Sequence, residues 1–144
     1  VLYHALIGII SATVISIIAI LVFDIKLILN PIIIILLFSG ALTFPGIGMI
    51  ISTVVREEEE ADAAGNVVTF PMLFLAGTFF PLETMPRFLQ IVAQALPLTY
   101  LNNGLRDAMV FGNSQSALWN CGIVFLIGLI SIAIAMKVTK WTDL

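Results

Sequence analysis

The chain has 144 residues, of which 60% are hydrophobic and only 10% charged, with six basic and nine acidic side chains. A soluble domain carries roughly 25% charged residues, so this composition, with a mean hydropathy of +1.15, excludes an ordinary globular protein and indicates a membrane protein. The net charge of −3 offers no basic stripe for nucleic acid, and the single cysteine, Cys121, allows neither an internal disulfide nor a thiolate metal cage.

Charged residues divide the sequence into long uncharged runs, as expected where a charge at a helix centre costs about 2.5–3.5 kcal/mol to insert. The first run, residues 1–23, closes at Asp24 and Lys26. It begins at Val1 with no basic segment or small-residue cleavage site before it. It therefore reads as a span, not a signal peptide, and the chain reads as part of a longer protein or as a processed product. Gly8, Ala12 and Ser16 recur every four residues, a stripe of small side chains that lets another helix approach closely. The second span is expected at about 31–55. Its Pro45, Gly46 and Gly48 mark a bend that serves either as a hinge or as a static kink. Arg56, Glu57, Glu58, Glu59, Glu60 and Asp62 then form a charged loop, after which a third span is expected at about 62–82 with Pro71 inside it. The carboxylates stand either as a solvated start to that helix, favoured by its dipole, or as a contact for another subunit.

Pro81, Pro86 and Pro97 punctuate the stretch before the fourth span, which is expected at about 117–136. Between the last two prolines, Arg87, Gln90 and Gln94 recur at helical spacing opposite Phe88, Ile91, Val92 and Ala95. Pro86 suits the first helical position. A ten-residue helix reaches only about 15 Å, half of a hydrocarbon core of about 30 Å. The pair of short helices at about 86–110 is therefore expected to be interfacial or re-entrant. It is read either as the gate of a path or as a cap on the bundle. Glu83 is expected to pair with Arg87 one turn on, with a proton or substrate role as the sharper alternative. Arg106 and Asp107 are expected to orient the second short helix. The fold expected is an all-α membrane protein: one domain over 1–144, four transmembrane helices, and a re-entrant or interfacial helix pair between the third and fourth. Arg56, Lys137 and Lys140 lie on one side of it and Lys26, Arg87 and Arg106 on the other, so charge alone does not set the orientation.

The order of these parts resembles the C-terminal part of an ABC type-2 transmembrane domain, the permease subunit of one large family of ABC transporters. The resemblance rests on residues 70–83 (FPMLFLAGTFFPLE), Met85-Pro86, Leu96-Pro97-Leu98-Thr99-Tyr100 and Gly104-Leu105-Arg106. It implies a permease of an ATP-driven exporter in the plasma membrane, multi-pass, with both termini cytoplasmic. It also implies a re-entrant gate involving Pro81, Glu83, Pro86, Arg87, Pro97 and Arg106, hinges at Pro45, Gly46, Gly48 and Pro71, and an ATPase-contact loop at Arg56, Glu57, Glu58, Glu59 and Glu60. A full member resembles six spans, of which this chain carries the last four. The implied partners are ABC ATPase subunits, a second permease (homo- or heterodimer) and lipid. ATP and Mg are expected on the ATPase, with no cofactor or metal on this chain. The sequence holds no Gly-rich phosphate loop and no Ser/His/Asp or His-Glu-x-x-His set, so the chain is not expected to be an enzyme. A small proton-coupled multidrug antiporter is the rival reading, but it requires an ionisable group inside a span, whereas all nine carboxylates lie in loops or at span ends. A non-transporting membrane scaffold is the third. The substrate is not legible.

Overall fold

The computed structural model describes residues 2–23, 30–53, 55 and 58–138, and every regular element among them is helical. Asp24, Lys26, Arg56, Glu57 and Lys140 lie outside the described residues. The elements are α1 (Leu2–Phe23), α2 (Ile32–Ser52), α3 (Glu58–Leu75), α4 (Arg87–Gln94), α5 (Pro97–Arg106) and α6 (Ser114–Val138). A 3₁₀ turn, Leu82–Thr84, precedes α4, and a π turn, Asp107–Phe111, extends α5. Helices are the expected outcome for uncharged runs of this length, because a helix satisfies its backbone hydrogen bonds without water.

Two of these helices, α2 with 21 residues and α6 with 25, are long and apolar enough to cross a membrane. They form the main packed seam of the molecule, and it is built from small and weakly polar side chains. On α2 the buried residues are Leu36, Ser39, Gly40, Thr43 and Gly46; on α6 they are Ala117, Cys121, Val124, Gly128, Ser131 and Ala135. The α6 set alternates steps of four and three residues, the spacing that keeps one helix face on a partner. A methyl at Gly128 would stand 2.7 Å from Thr43 Oγ1 and 3.3 Å from the Thr43 backbone nitrogen. The Thr43 hydroxyl lies 2.9 Å from the Val124 carbonyl across the seam and 2.8 Å from the Ser39 carbonyl on its own helix. Ser39 Oγ lies 3.6 Å from Cys121 Sγ, which gives the lone cysteine a packing role. Ile, Leu, Phe and Trp side chains point outward: Leu21 is 78% and Trp119 75% exposed. Small residues inside and large apolar ones outside is the arrangement of helices that pack against each other in lipid.

The contacts also set direction. Ser39, Thr43 and Gly46 of α2 meet Cys121, Val124 and Ser131 of α6 in ascending order, so the two helices run parallel. Their starts are tied by Asn30, whose Nδ2 donates to Ser114 Oγ at 2.9 Å while its Oδ1 accepts the Ile32 N–H. Parallel neighbours need a return between them, and α3 supplies it. The end of α2, the start of α3 and the end of α6 therefore share one end of the bundle, and Asn30 and Ser114 share the other. The first helix packs mainly on α2. Of its stripe, only Gly8 is described to the side chain, and nothing comes within 4 Å of a methyl placed there.

The third helix is shorter than the expected span to Leu82, because it closes at Leu75. Gly77 there adopts φ 77°, the left-handed conformation that ends helices and that suits glycine. Residues 76–81 then form turns, although the sequence remains apolar through Leu82.

Candidate functional site

The most organised polar region is the hairpin of α4 and α5, together with the ends of α3 and α6 that it touches. Its depth follows from three contacts. Gly104 packs on Leu36, Leu101 packs on Gly40, and Leu98 shares a cleft with Phe44, so α5 runs antiparallel to α2. The chain enters near the Asn30 end, since Leu82 covers Gly77 and Gly77 is held by Arg106 at the far end of α5. It descends along α4, turns at residues 94–97 level with Phe44, and returns along α5. The step from Ile32 to Phe44 is about 18 Å along a helix axis.

Each part of the hairpin has an identifiable cause. Pro97 is the first helical residue of α5, where its missing N–H costs no bond. The turn carries its own caps: Thr99 Oγ1 donates to the Ala93 carbonyl at 2.6 Å, and the Tyr100 hydroxyl donates to the Gln94 carbonyl at 2.7 Å. The Ala93 carbonyl also accepts the Leu96 N–H at 3.0 Å, and both side chains bond carbonyls of the last turn of α4, where intrahelical partners run out. The Pro-Leu-Thr-Tyr step is thus a self-sealing turn. Thr99→Val keeps the shape and removes one of the two donors to the carbonyl of fully buried Ala93, which keeps the Leu96 N–H at 3.0 Å. It is expected to lower stability by about 0.5–1.5 kcal/mol, measured as a shift in thermal unfolding of the purified protein.

At the other end of α5, two side chains one turn apart clasp the end of α3. Asn102 Nδ2 donates to the Ala76 carbonyl at 3.2 Å and to Thr78 Oγ1 at 2.7 Å, and Arg106 donates to the Gly77 carbonyl at 3.1 Å. The next residue, Asp107, faces α6 instead. It accepts from Ser116 Oγ at 2.5 Å and lies 3.5 Å from Asn120 Nδ2, beside the first turn of α6, where Asn113 Oδ1 caps the Ser116 N–H. Consecutive residues of opposite charge therefore sit at helix ends of opposite polarity: a cation at the carbonyl end of α3 and an anion at the amide end of α6. Gly112, at φ 64°, lets the π turn close and the chain reverse into α6.

The expected site residues distribute unevenly. Pro97 and Arg106 belong to the hairpin's framework. Pro81 is exposed and starts the 3₁₀ turn. Pro86 is not inside α4: it precedes Arg87 with ψ 145°, because the chain is still extended there. For the same reason the expected Glu83–Arg87 ion pair does not form. Met85 and Pro86 are both extended, so the two residues are not one helical turn apart, and both are exposed. Gln90 ties this entry by donating from Nε2 to the Met85 carbonyl at 2.9 Å. Helices α2 and α3 run unbroken through Pro45 and Pro71. A methyl placed at Gly46 would stand 3.1 Å from Ser131 Cβ, while Gly48 is open and lines an apolar cleft between α2 and α3. Glu58, Glu59 and Glu60 open α3, and Glu60 is exposed. Asn102, Thr99, Ser116 and Asn120 carry bonds that sequence reasoning did not assign. Among the described residues no cluster of three His, Cys, Asp or Glu side chains could hold a metal.

Two helices long and apolar enough to cross a membrane, joined by lipid-type packing, indicate a helical membrane protein. Residues 1–110, through the hairpin, match the ABC-2 type transporter family, and the chain belongs to it. It is 31% identical over 113 residues to the linearmycin resistance permease protein LnrN of Bacillus subtilis, covering 77% of this chain and 29% of that protein. It is 27% identical over 97 residues to the daunorubicin resistance ABC transporter permease protein DrrB1 of Streptomyces coeruleorubidus, covering 66% and 32%. To the ABC transporter G family member 20 of Dictyostelium discoideum it is 34% identical over 111 residues, covering 76% and 15%. The chain thus spans about a third or less of the length of these relatives. No solved structure matches it significantly.

Proposed function

We propose that this chain forms the membrane-crossing part of a permease subunit of an ATP-driven exporter. In this reading α1, α2, α3 and α6 cross the bilayer, and the α4–α5 hairpin inserts from the outer face as a re-entrant pair. The end of the bundle holding Glu58, Glu59, Glu60 and the close of α6 then faces the cytoplasm. A second permease completes the path. Separate ATPase subunits, carrying ATP and Mg, dock on the acidic segment with Arg56 and Glu57.

The observation that carries the proposal is the self-sealed turn at the level of Phe44. Non-helical backbone at membrane depth is tolerated only where its polar groups are satisfied by protein or by water, and Thr99 and Tyr100 satisfy them here. The family relatives add a second support, since LnrN and DrrB1 are named as resistance permeases. On this reading ATP binding moves the cytoplasmic ends of α2 and α3, and the clasp of Asn102 and Arg106 carries that movement to the hairpin. Affinity purification of the full-length permease from its native membrane is expected to recover an ABC ATPase whose hydrolysis responds to substrate. A permease that purifies alone, and transports in vesicles without ATP but not without a proton gradient, would overturn the assignment in favour of the antiporter.

A further inference from the structure

Three residues on α4 carry polar groups that the hairpin leaves wholly or partly unused. Arg87, Gln90 and Gln94 lie one turn apart and, with Ile91, line an open groove of about 480 Å³. Among the described residues, no side-chain bond is made by Arg87 or Gln94. Gln90 spends one N–H on Met85, leaving its carbonyl oxygen and second N–H unused. Another flank of the same helix is apolar, with Phe88 and Val92 exposed. The stripe descends: Arg87 stands where the hairpin enters, and Gln94 stands at the turn level with Phe44. An amide facing hydrocarbon at that depth is costly, so the stripe must face water, a partner or a polar ligand.

We propose that this stripe sets substrate specificity, acting as a hydrogen-bonding track for an amphiphile with an uncharged, hydroxyl- or amide-rich polar end. The inference rests on the transporter reading above. Glutamine offers both donors and an acceptor, so Gln94 and Gln90 match groups that donate and accept in the same way. No side chain on the deep half of the stripe carries charge. An ionised head would therefore exchange its hydration there for nothing of opposite sign. Arg87, the one cation on the stripe, lies at its outer end, where it meets the bilayer surface. The apolar flank of α4 lets the lipophilic part of the same molecule stay in lipid while its polar end moves along the helix.

The test uses the full-length permease with its ATPase in lipid nanodiscs, with decyl maltoside below its micellar concentration as the probe. Decyl sulfate and decyltrimethylammonium serve as charged controls. The wild type is expected to show ATPase stimulation by the maltoside and little by either charged homologue. Gln94→Leu and Gln90→Leu are each expected to raise the half-stimulating concentration at least tenfold. A second measurement does not depend on these variants folding identically. A single cysteine at Gln94, in a Cys121→Ala background, is expected to react with a maleimide several-fold more slowly when the maltoside is present. Equal stimulation by charged and uncharged probes, no response to the maltoside from an active ATPase, or leucine variants that respond as wild type would each overturn the track. Failure to recover any ATPase would instead overturn the transporter reading itself.

Discussion

Gly128→Val is expected to be the most damaging single change in the membrane-crossing part of the chain, lowering stability by about 2–3 kcal/mol, as overpacking a tight core does. The reason is local and backbone-based. A Cβ at this position would lie 2.7 Å from Thr43 Oγ1, 3.3 Å from the Thr43 nitrogen and 3.4 Å from its Cα, so a rotamer change alone does not relieve it. Helices α2 and α6 have to move apart, and the Thr43 hydroxyl loses the Val124 carbonyl. Gly122→Ala on the same helix is the control, since nothing lies within 4 Å of a methyl there, and it is expected to be neutral or slightly stabilising. Gly128→Ala with Thr43→Ala is expected to recover part of the loss by removing the nearest clashing atom. Thermal unfolding followed by tryptophan fluorescence separates these variants. A Gly128→Val protein that melts with the wild type would show that the seam is not packed as described.

Arg106→Ala is expected to release the segment after α3 and to lower stability by about 1.5–3 kcal/mol, the range for a hydrogen bond to a charged group. Arg106 is half-buried, and its guanidinium is the group that holds the Gly77 carbonyl where the chain leaves α3. Asn102 holds the neighbouring positions, so Asn102→Ala on top of Arg106→Ala is expected to cost less than it does alone if the two act as one clasp. Hydrogen exchange distinguishes this from general destabilisation. Amides of residues 76–85 are expected to lose protection in Arg106→Ala while those of the α2–α6 seam keep theirs. Uniform loss of protection, or none, would argue against a local clasp. Substituting Lys restores the charge but not the reach and geometry of the guanidinium, and is expected to rescue only partly.

Much of the helical layout was legible because the bilayer imposes it. Uncharged runs of about 20 residues bounded by charges read directly as long helices, and α1, α2 and α6 follow them. Prolines were informative only in part. Pro97 begins a helix, as its chemistry favours, whereas Pro86 stands one residue before α4, in extended chain. The same extended pair, Met85 and Pro86, removed the Glu83–Arg87 pairing that a continuous helix would have produced. The end of α3 was hidden because the residues after Leu75 stay apolar, and the only local sign of the turn was the glycine at 77. The main packing face was present in the sequence as Ala117, Cys121, Val124, Gly128, Ser131 and Ala135, at alternating steps of four and three. The stripe at Gly8, Ala12 and Ser16 has a simpler spacing, but a methyl placed at Gly8 meets nothing within 4 Å. The bonds that seal the hairpin were not legible, since Thr99, Tyr100 and Asn102 act on carbonyls that only the fold brings near.

Accessibility of single cysteines tests directly whether the hairpin enters the bilayer from the outer face. In intact cells producing the full-length permease without Cys121, a membrane-impermeant maleimide is expected to modify a cysteine at Thr84, at the mouth. It is expected to reach one at Gln94, at the turn, more slowly, and to reach one at Glu60 only after the cells are opened. Modification at Glu60 from outside, with Thr84 protected until the membrane is breached, would contradict the orientation.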